Sequence, residues 1–386
     1  MNSKMNNKKK VRFGIIGLGL MGKEFASSAA RWCHLKGELP APEITAVASR
    51  TKESLSWFTE NIPSITLSTT DYRELLASDQ IDAVYCAVPH NLHEKMYIDI
   101  LKSGKHLLGE KPFGIDKKAN DAIISEIHAH PELVVRCSSE FPYFPGAKRL
   151  IEWIRALSYG KLIEVRSGFH HSSDMDLQKP INWKRMVEIN GAYGCMGDLG
   201  LHTQHIPFRM GWIPKNVYAD LQNIVPTRPD GKGNTVPCGT WDNAVLTCRA
   251  DNPGDGNEFT IVFETKRMAP GATNTWFLEV YGTKGSARFS TQDPRAFFML
   301  ETRGKEQGWT RFDTGSQSFM PSITGGIFEF GFSDAFQQMI GAFMYEFSEK
   351  KDPHPFLNAT PEETALSHKL LTAALESGNT GRRVVV

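Results

Sequence analysis

Residues 11–22 read VRFGIIGLGLMG, an apolar run that ends in three closely spaced glycines. The run predicts a buried strand, and the glycines predict a tight turn that opens the first helix. In such a turn Gly17 permits the change of direction, Gly19 lets the backbone approach a pyrophosphate, and Gly22 lets helix and strand pack closely. The predicted dinucleotide-binding residues are Gly17, Leu18, Gly19, Leu20, Met21 and Gly22. The alternative is a glycine-rich turn without a ligand.

From this turn to about residue 140, short apolar runs alternate with helix-like segments. We expect strands at residues 11–17, 44–48, 83–88, 105–109 and 133–137. We expect helices at residues 20–33, 51–60, 71–78, 91–103 and 116–129. Such alternation is typical of α/β proteins, in which a parallel sheet carries helices on both faces. We therefore assign residues 1–140 to a cofactor-binding domain.

The pattern changes after residue 140. A helix is expected at 146–158, followed by strands at 161–169, 216–224, 242–250, 258–265, 276–281 and 286–290. The last helical segments are expected at 333–349 and 361–377. This order predicts an α+β domain, residues 141–386, on a largely antiparallel sheet. Residues 226–240 are rich in proline and glycine and predict a loop that covers a pocket or reaches a neighbouring subunit.

Composition narrows the class of partner. The 386 residues include 44 basic and 43 acidic side chains, a net charge of +1, which argues against nucleic acid or a membrane surface as the main partner. The 6 cysteines contain no C-x-x-C pair, so neither a disulfide framework nor a zinc ribbon is indicated. No stretch approaches the roughly 18–20 apolar residues of a membrane span. We expect a cytoplasmic protein that binds a small molecule. The lysines at 8–10 are expected to form a solvated tail.

The choice of cofactor depends on the end of the second predicted strand. An acidic residue there would accept hydrogen bonds from the ribose 2′-hydroxyl of NAD, but the chain reads Ser49-Arg50-Thr51. A guanidinium between two hydroxyls suits a 2′-phosphate. The sequence therefore predicts NAD(P) with a lean to NADP. The alternative is that Arg50 is a solvated residue and NAD binds.

Polar residues follow two further predicted strands, at the sheet edge where open α/β proteins bind ligands. The predicted cofactor-contacting residues there are Pro89, His90, His93, Glu110 and Lys111. A lysine at this edge can bind a substrate hydroxyl and stabilise a developing alkoxide. The alternative for Lys111 is a surface lysine before a turn, but its position beside Glu110 at a strand end favours a functional role.

Asp198 and His202 stand four residues apart, which places them on one face of a predicted helix. Histidine can take up a proton near neutral pH, and a nearby carboxylate would orient it and favour its charged form. His205 and Arg209 continue this face. The alternative is a histidine that is hydrogen-bonded in the core.

Zinc is another use for these histidines, with His202 and His205 beside Asp198, or with the pair His170 and His171. No cysteine or glutamate lies at a spacing that completes a recognisable site. We therefore predict no metal.

Taken together, these motifs resemble those of one family. They are the glycines at 17, 19 and 22, the run 88–93, the stretch LKSGKHLLGEKP at 101–112, the element 198–202 and VYGTKG at 280–285. In this order they resemble the glucose-fructose oxidoreductase, inositol dehydrogenase and rhizopine catabolism (Gfo/Idh/MocA) family. The resemblance implies a Rossmann domain, followed by an open-sheet domain that covers the nicotinamide and often forms dimers or tetramers.

The resemblance also implies roles for single residues. Lys111, Asp198 and His202 match the family's catalytic trio, with His202 as the acid or base and Asp198 orienting it or touching substrate. Lys111 would bind substrate and cofactor, and its bond to the following proline resembles one that is often cis in the family. Trp183 and Lys184 match a tryptophan and a basic residue near the substrate.

Two departures from the family pattern concern the substrate pocket. His205 stands where the family often has aspartate, and Pro207 is expected to interrupt the helix. A sugar ring would suit the aromatic and polar side chains expected nearby, which are Phe169, His170, His171, Trp183, Tyr193 and Trp212.

Three functions are consistent with these residues. The first is hydride transfer between a nicotinamide and a secondary hydroxyl of a sugar, polyol or glycoside. The second is a glycoside hydrolase or lyase that keeps NAD(H) tightly bound through an oxidation-elimination cycle. The third is a non-catalytic nucleotide-binding protein, which the complete trio disfavours. We expect a carbohydrate substrate and a homo-oligomer.

Overall fold

The computed structural model of the protein describes residues 9–315, 317–348 and 356–386. The first sheet consists of β1 (Lys10–Ile16), β2 (Ala41–Ala48), β3 (Leu67–Thr69), β4 (Ala83–Cys86), β5 (His106–Gly109) and β6 (Val135–Cys137). Its strands are all parallel, in the order β3-β2-β1-β4-β5-β6. This is the doubly wound Rossmann order, which confirms the α/β prediction.

Five helices connect these strands. They are α1 (Leu20–Ala30), α2 (Glu53–Asn61), α3 (Tyr72–Ala77), α4 (His93–Lys102) and α5 (Lys117–Ala129). A central parallel strand is covered on both faces, which explains why its sequence is almost continuously apolar. In β1 the side chains of Phe13 and Ile15 are fully buried.

The second half of the chain is built on a larger sheet. It contains β7 (Leu162–His170), β8 (Pro214–Gln222), β11 (Asn243–Asp251), β12 (Glu258–Lys266), β13 (Thr275–Gly282), β14 (Gly285–Ser290), β15 (Ala296–Glu301), β16 (Thr310–Asp313) and β17 (Val384–Val385). Within the described ranges only the β7–β12 pair is parallel. The predicted, largely antiparallel α+β arrangement is therefore confirmed.

The remaining α-helices belong to the second half of the chain. They are α6 (Pro145–Arg155), α7 (Val187–Asn190), α8 (Cys195–Arg209), α9 (Phe332–Tyr345) and α10 (Pro361–Thr380). Helix α8 is held to the second sheet by Trp276, whose indole N–H donates to the backbone oxygen of His202 at 2.8 Å. Helix α9 returns to the first half, where the Gln337 side chain donates to the backbone oxygens of Ser28 and Arg31.

Several elements differ from the sequence prediction. The expected loop at 226–240 contains a small hairpin of β9 (Thr227–Pro229) and β10 (Thr235–Pro237). Strands β3, β15, β16 and β17 were not predicted. The expected helix at 333–349 ends at Tyr345, and its last residue lies outside the described part of the chain, as does Lys8 of the tail.

Pro207 does not interrupt α8, which continues to Arg209. Because Pro207 lies in the last turn of the helix, its missing N–H removes only one helical hydrogen bond before the end. Burial of nearly every residue of this helix stabilises it further.

Two further properties are direct observations. All 6 cysteines are free, and only Cys33 is exposed. Among the helices of the described ranges, none combines the length and apolar character that crossing a membrane requires.

Candidate active site

A cavity of about 980 Å³ lies at the carboxyl edge of the first sheet, and the second half of the chain forms its other wall. Most of the predicted site residues line it: Gly17, Leu18, Gly19, Leu20, Met21, Ser49, Arg50, Pro89, His90, Glu110, Lys111, Trp183, Lys184, Asp198 and His202. Gly22 and His93 are not part of the lining. Residues predicted from separate motifs are thus brought to one place.

The glycine turn has the geometry of a phosphate cradle. Gly17 has a positive φ of 94°, and a Cβ added there would lie 2.4 Å from the backbone oxygen of Ala87. A Cβ on Gly22 would lie 2.4 Å from the backbone oxygen of Gly17, so this glycine permits close packing. A Cβ on Gly19 would meet no atom within 4 Å. Open space at Gly19, beside the N-terminus of α1, fits a pyrophosphate.

The far end of the cavity is lined by Ser49, Arg50, Ser54, Thr70 and Tyr72. No acidic residue follows β2 directly, and Arg50 is exposed. A ribose or its phosphate would therefore contact hydroxyl groups and a guanidinium here. Thr70 and Tyr72 were not predicted because they follow β3, a strand of three residues that has no clear sequence signal.

His93 differs from its prediction as a cofactor contact. Its Nε2 lies 3.0 Å from the backbone oxygen of Val88, its Nδ1 accepts from the Gly114 N–H at 3.4 Å, and its ring stacks on Tyr97. Burial lowers the pKa of His93 to about 3. The residue therefore braces the segments after β4 and β5 behind the cavity wall.

Lys111 and Asp198 are in direct contact. The Lys111 ammonium donates to Oδ1 of Asp198 at 2.7 Å, and Lys184 donates to Oδ2 at 3.2 Å. Arg267 contacts the same Oδ2, and His90 Nε2 lies 3.9 Å from Oδ1. The peptide bond between Lys111 and Pro112 is cis, as the resemblance to the family implied. Burial lowers the pKa of Lys111, which makes its proton easier to share with a ligand.

His202 is placed differently from the prediction. Among the described residues its carboxyl neighbour is Glu140, with Oε2 4.0 Å from Nδ1, and not Asp198. Its ring lies edge-on to Phe141 and Phe169, with ring centroids 5.2 and 5.4 Å away. Burial, followed by repulsion from Lys111, lowers the pKa of His202 well below its usual range. The imidazole is therefore neutral, whereas the sequence suggested a favoured charged form.

Glu140 was missed by the sequence reasoning. It is buried, lines the cavity and follows β6, so the strand-end rule that indicated Lys111 could have found it. Burial, followed by repulsion from Glu110, raises the pKa of Glu140 to about 8. At neutral pH most of this carboxyl is protonated.

Arg267 was missed for another reason. It directly follows β12, which pairs in parallel with β7. That pairing cannot be read from local sequence, and it is what brings Arg267 to Asp198.

His205 points away from the cavity. Its Nε2 lies 3.3 Å from the Arg209 guanidinium and 3.7 Å from Glu363, and its ring packs near Phe356. Although His205 is three residues from His202, the side chain packs against α10. The expected effect of His205 on the pocket is therefore not observed.

Only part of the expected sugar-binding set lines the cavity: Phe169, His171 and Trp183. His170 instead lies 3.4 Å from Glu264, Tyr193 shares a hydrogen bond with Thr372, and Trp212 is in the core. In the ranges that the structure describes, no group of three or more His, Cys, Asp or Glu side chains could hold a metal ion.

The chain is similar to known dehydrogenases. Levoglucosan dehydrogenase of Pseudarthrobacter phenanthrenivorans is 23% identical over 72% of this chain and 73% of that protein. The scyllo-inositol 2-dehydrogenase (NADP(+)) of Bacillus subtilis is 26% identical over 66% of this chain and 76% of that protein. A solved structure of levoglucosan dehydrogenase, in complex with NADH and L-sorbose, has a TM-score of 0.85 at 20% identity and covers 98% of this chain and 99% of that one. At this identity the structural match establishes the fold.

A shorter similarity involves a glycosidase. The alpha-N-acetylgalactosaminidase of Shewanella oneidensis is 38% identical over 188 residues, which are 48% of this chain and 38% of that protein. The chain thus spans well under half of this relative's length.

Two family models match consecutive parts of the chain. The model described as an oxidoreductase family with an NAD-binding Rossmann fold matches residues 11–134. The model of the Gfo/Idh/MocA C-terminal domain matches residues 147–288. The first match agrees with the cradle at Gly17–Gly22 and supports NAD(P) as the cofactor. With both characteristic domains present in the family's order, the protein belongs to the Gfo/Idh/MocA oxidoreductases.

Proposed function

We propose that the protein is an NAD(P)-dependent dehydrogenase or reductase that transfers a hydride between the nicotinamide and a secondary hydroxyl of a sugar, polyol or glycoside. The observation that carries this proposal is the meeting of Lys111, Asp198 and His202 in the cavity that also contains the glycine cradle. The carbohydrate and polyol dehydrogenases among its relatives support the substrate class.

Each side chain has a separate role in alcohol oxidation. The bound nicotinamide supplies the hydride acceptor. Neutral His202 takes the proton of the substrate hydroxyl, and because its Nδ1 faces Glu140, Nε2 is left for the substrate. Lys111 donates a hydrogen bond to the same hydroxyl oxygen and stabilises its developing negative charge. Asp198 holds the ammonium groups of Lys111 and Lys184 in position.

Glu140 completes this arrangement as a positioning residue. When His202 gains a proton, a positive charge appears in a buried site, where it is costly unless it is paired. The Glu140 carboxyl, 4.0 Å from Nδ1, stabilises that charge once it is ionised. Phe169, His171 and Trp183 supply flat faces and polar edges for a sugar ring.

The preference for NADP over NAD is part of the proposal. Arg50 is exposed at the cavity end, without a carboxylate directly after β2, and one relative's name specifies NADP(+). Replacing Arg50 with Gln should lower kcat/KM for NADP by about tenfold or more, as expected for a lost charged hydrogen bond, and leave kcat/KM for NAD nearly unchanged. An equal effect on both cofactors would contradict the NADP assignment.

We also propose a homo-oligomer, a cytoplasmic location and a domain division near residue 140. The open sheet exposes large side chains such as Ile163 and Tyr218, which would suit contact with a second copy. Light scattering coupled to gel filtration measures the oligomer number, and a monomer at all concentrations would refute an oligomer.

The first test is the absorbance of reduced nicotinamide with NAD or NADP and a panel of sugars, polyols and glycosides. Continuous reduction with one carbohydrate supports the dehydrogenase. The same mixtures are analysed for cleaved glycoside, because the Shewanella glycosidase similarity favours a second candidate that recycles its bound cofactor. Cleavage without net reduction would replace the first function by the second. No chemistry with any carbohydrate would refute both.

A further inference from the structure

Three cationic side chains meet at one carboxylate inside the cavity. Lys111 and Lys184 donate to the two oxygens of Asp198 at 2.7 and 3.2 Å, and Arg267 contacts one of them. All four residues line the cavity. One carboxylate compensates one of these charges, so the arrangement is positively charged unless other acidic groups balance it.

The neighbouring acidic groups have partners of their own or are protonated at neutral pH. Glu110 is close to Lys111 along the chain and accepts a hydrogen bond from the Tyr85 hydroxyl at 2.7 Å. Glu140 is mostly protonated at neutral pH, because its pKa is raised to about 8. Asp174 attracts Arg267 and Lys184 at longer range, but its direct ion pair is with Lys179 at 3.2 Å. The three basic side chains thus share one carboxylate, Asp198, as their direct ion-pair partner.

Arg267 itself has unused hydrogen-bonding capacity. The residue is 4% exposed, and its Nε has no hydrogen-bond partner among the described residues. A buried donor without an acceptor is costly. In addition, burial and then repulsion from Arg267 and Lys111 lower the pKa of Lys184 well below its usual range. The unpaired Arg267 Nε and the three basic side chains around one carboxylate indicate a site that can accept an anionic ligand.

We infer that this cluster binds an oxyanion group carried by the substrate, so that the enzyme acts on an acidic carbohydrate. This inference rests on the proposed function for the carbohydrate class. Arg267 would hold the oxyanion through its planar fork, with Lys184 as the second charge. Ser173 and Asn274 line the same cavity and offer further donors. A uronate carboxylate and a sugar phosphate share this chemistry.

Binding to the enzyme loaded with reduced cofactor tests the inference without requiring turnover. Calorimetry compares methyl glucoside, the methyl glycoside of glucuronate and methyl glucoside 6-phosphate, which differ only in the group at carbon 6. The better acidic ligand should bind about 10- to 100-fold more tightly than the neutral parent, as expected for one or two charged hydrogen bonds. Which of the two acidic ligands binds more tightly shows whether the site prefers a carboxylate or a phosphate. If neither acidic ligand binds more tightly than methyl glucoside, the inference is wrong.

Variants test whether the cluster causes the tighter binding of acidic ligands. Arg267→Gln should bring the acidic and neutral ligands to similar affinities, and Arg267→Lys should restore part of the difference. Arg249→Gln is the matched control, because Arg249 is exposed on β11, and it should keep the full preference. If Arg267→Gln fails to fold, judged by melting temperature and cofactor affinity, Lys184→Gln provides the same comparison. An unchanged preference in the folded variant would overturn the assignment.

The outcomes separate this inference from the proposed function. Tight binding of an acidic ligand without turnover of any carbohydrate would refute the dehydrogenase and retain the oxyanion site. Turnover of neutral sugars, with no preference for acidic ligands, would retain the dehydrogenase and refute the oxyanion site. In that case the three cations would serve only the reacting hydroxyl.

Discussion

At the residue scale, His202 carries the proposed proton transfer. Replacing it with Ala should lower kcat by about 10²- to 10⁴-fold, the usual contribution of a general acid or base. The dissociation constant for NAD(P)H should change little, because the cradle at Gly17–Gly22 is on a different element. Steady-state kinetics and cofactor fluorescence measure the two effects. His128→Ala is the matched control, since His128 is exposed on α5. Near-normal turnover in His202→Ala would refute its role.

We expect Glu140 to give the proposed reaction its pH dependence. Ionised Glu140 stabilises protonated His202, so kcat for alcohol oxidation should rise with pH through about 8, where this carboxyl titrates. Glu140→Gln should remove this rise while the enzyme remains folded. The control is Glu346→Gln, because Glu346 is partly buried and also has a raised pKa but pairs with Arg136 instead. A rise with the same midpoint in Glu140→Gln would contradict the prediction.

The same carboxyl affects folding with a defined sign. Its pKa is raised from 4.5 to about 8, so the folded protein holds the proton more tightly than the unfolded chain. Its contribution to the free energy of unfolding is present below about pH 4.5 and is lost as the pH rises to about 8. Urea unfolding of Glu140→Gln across this range should lack that part of the pH dependence.

At the scale of elements, the turn between β1 and α1 separates binding from packing. A side chain at Gly19 enters open space, whereas one at Gly22 would collide with the backbone oxygen of Gly17. Gly19→Val should therefore weaken NADPH binding by about tenfold or more, equivalent to at least 1.4 kcal/mol, at an unchanged melting temperature. Gly22→Ala should lower stability by about 1–3 kcal/mol through overpacking.

A matched control for Gly19→Val is Gly308→Val, because a Cβ at Gly308 also meets no atom within 4 Å and this glycine does not line the cavity. Fluorescence titration and thermal unfolding separate the two effects. Equal NADPH affinity in Gly19→Val and the natural protein would show that the phosphates bind elsewhere.

At the scale of the whole molecule, α9 ties the two halves of the chain together. Gln337 is 1% exposed, and its amide donates to the backbone oxygens of Ser28 and Arg31. Gln337→Ala leaves these buried acceptors without their donor and should lower the free energy of unfolding by about 1–3 kcal/mol. Urea unfolding measures this loss. Exposed Gln178→Ala should have no effect. If Gln337→Ala lowers the free energy of unfolding no more than Gln178→Ala does, this contact is not needed for stability.

The sequence predicted the parts of the molecule that depend on local patterns. The glycine turn and the strand-end positions of Lys111 and His90 were found because parallel strands present their carboxyl ends at one edge. Short strands such as β3 contain too few residues for a pattern. The helix period placed Asp198 and His202 on one face, but it carried no information on their partners. Glu140 follows β6, so the strand-end rule could have found it. Arg267 reaches the site through the pairing of β12 with β7, so only the tertiary structure shows its contact with Asp198.

The return of α9 to the first half also has a consequence for synthesis on the ribosome. Phe13 and Tyr85 of the first sheet lie beside Phe343 and Phe336, with ring centroids 6.1 and 6.2 Å apart. These partners are translated more than 250 residues after Tyr85. An emerging chain therefore carries an apolar face that only Phe25 of α1 partly covers until α9 leaves the exit tunnel. We expect chaperones that recognise apolar segments to bind the nascent protein during this interval.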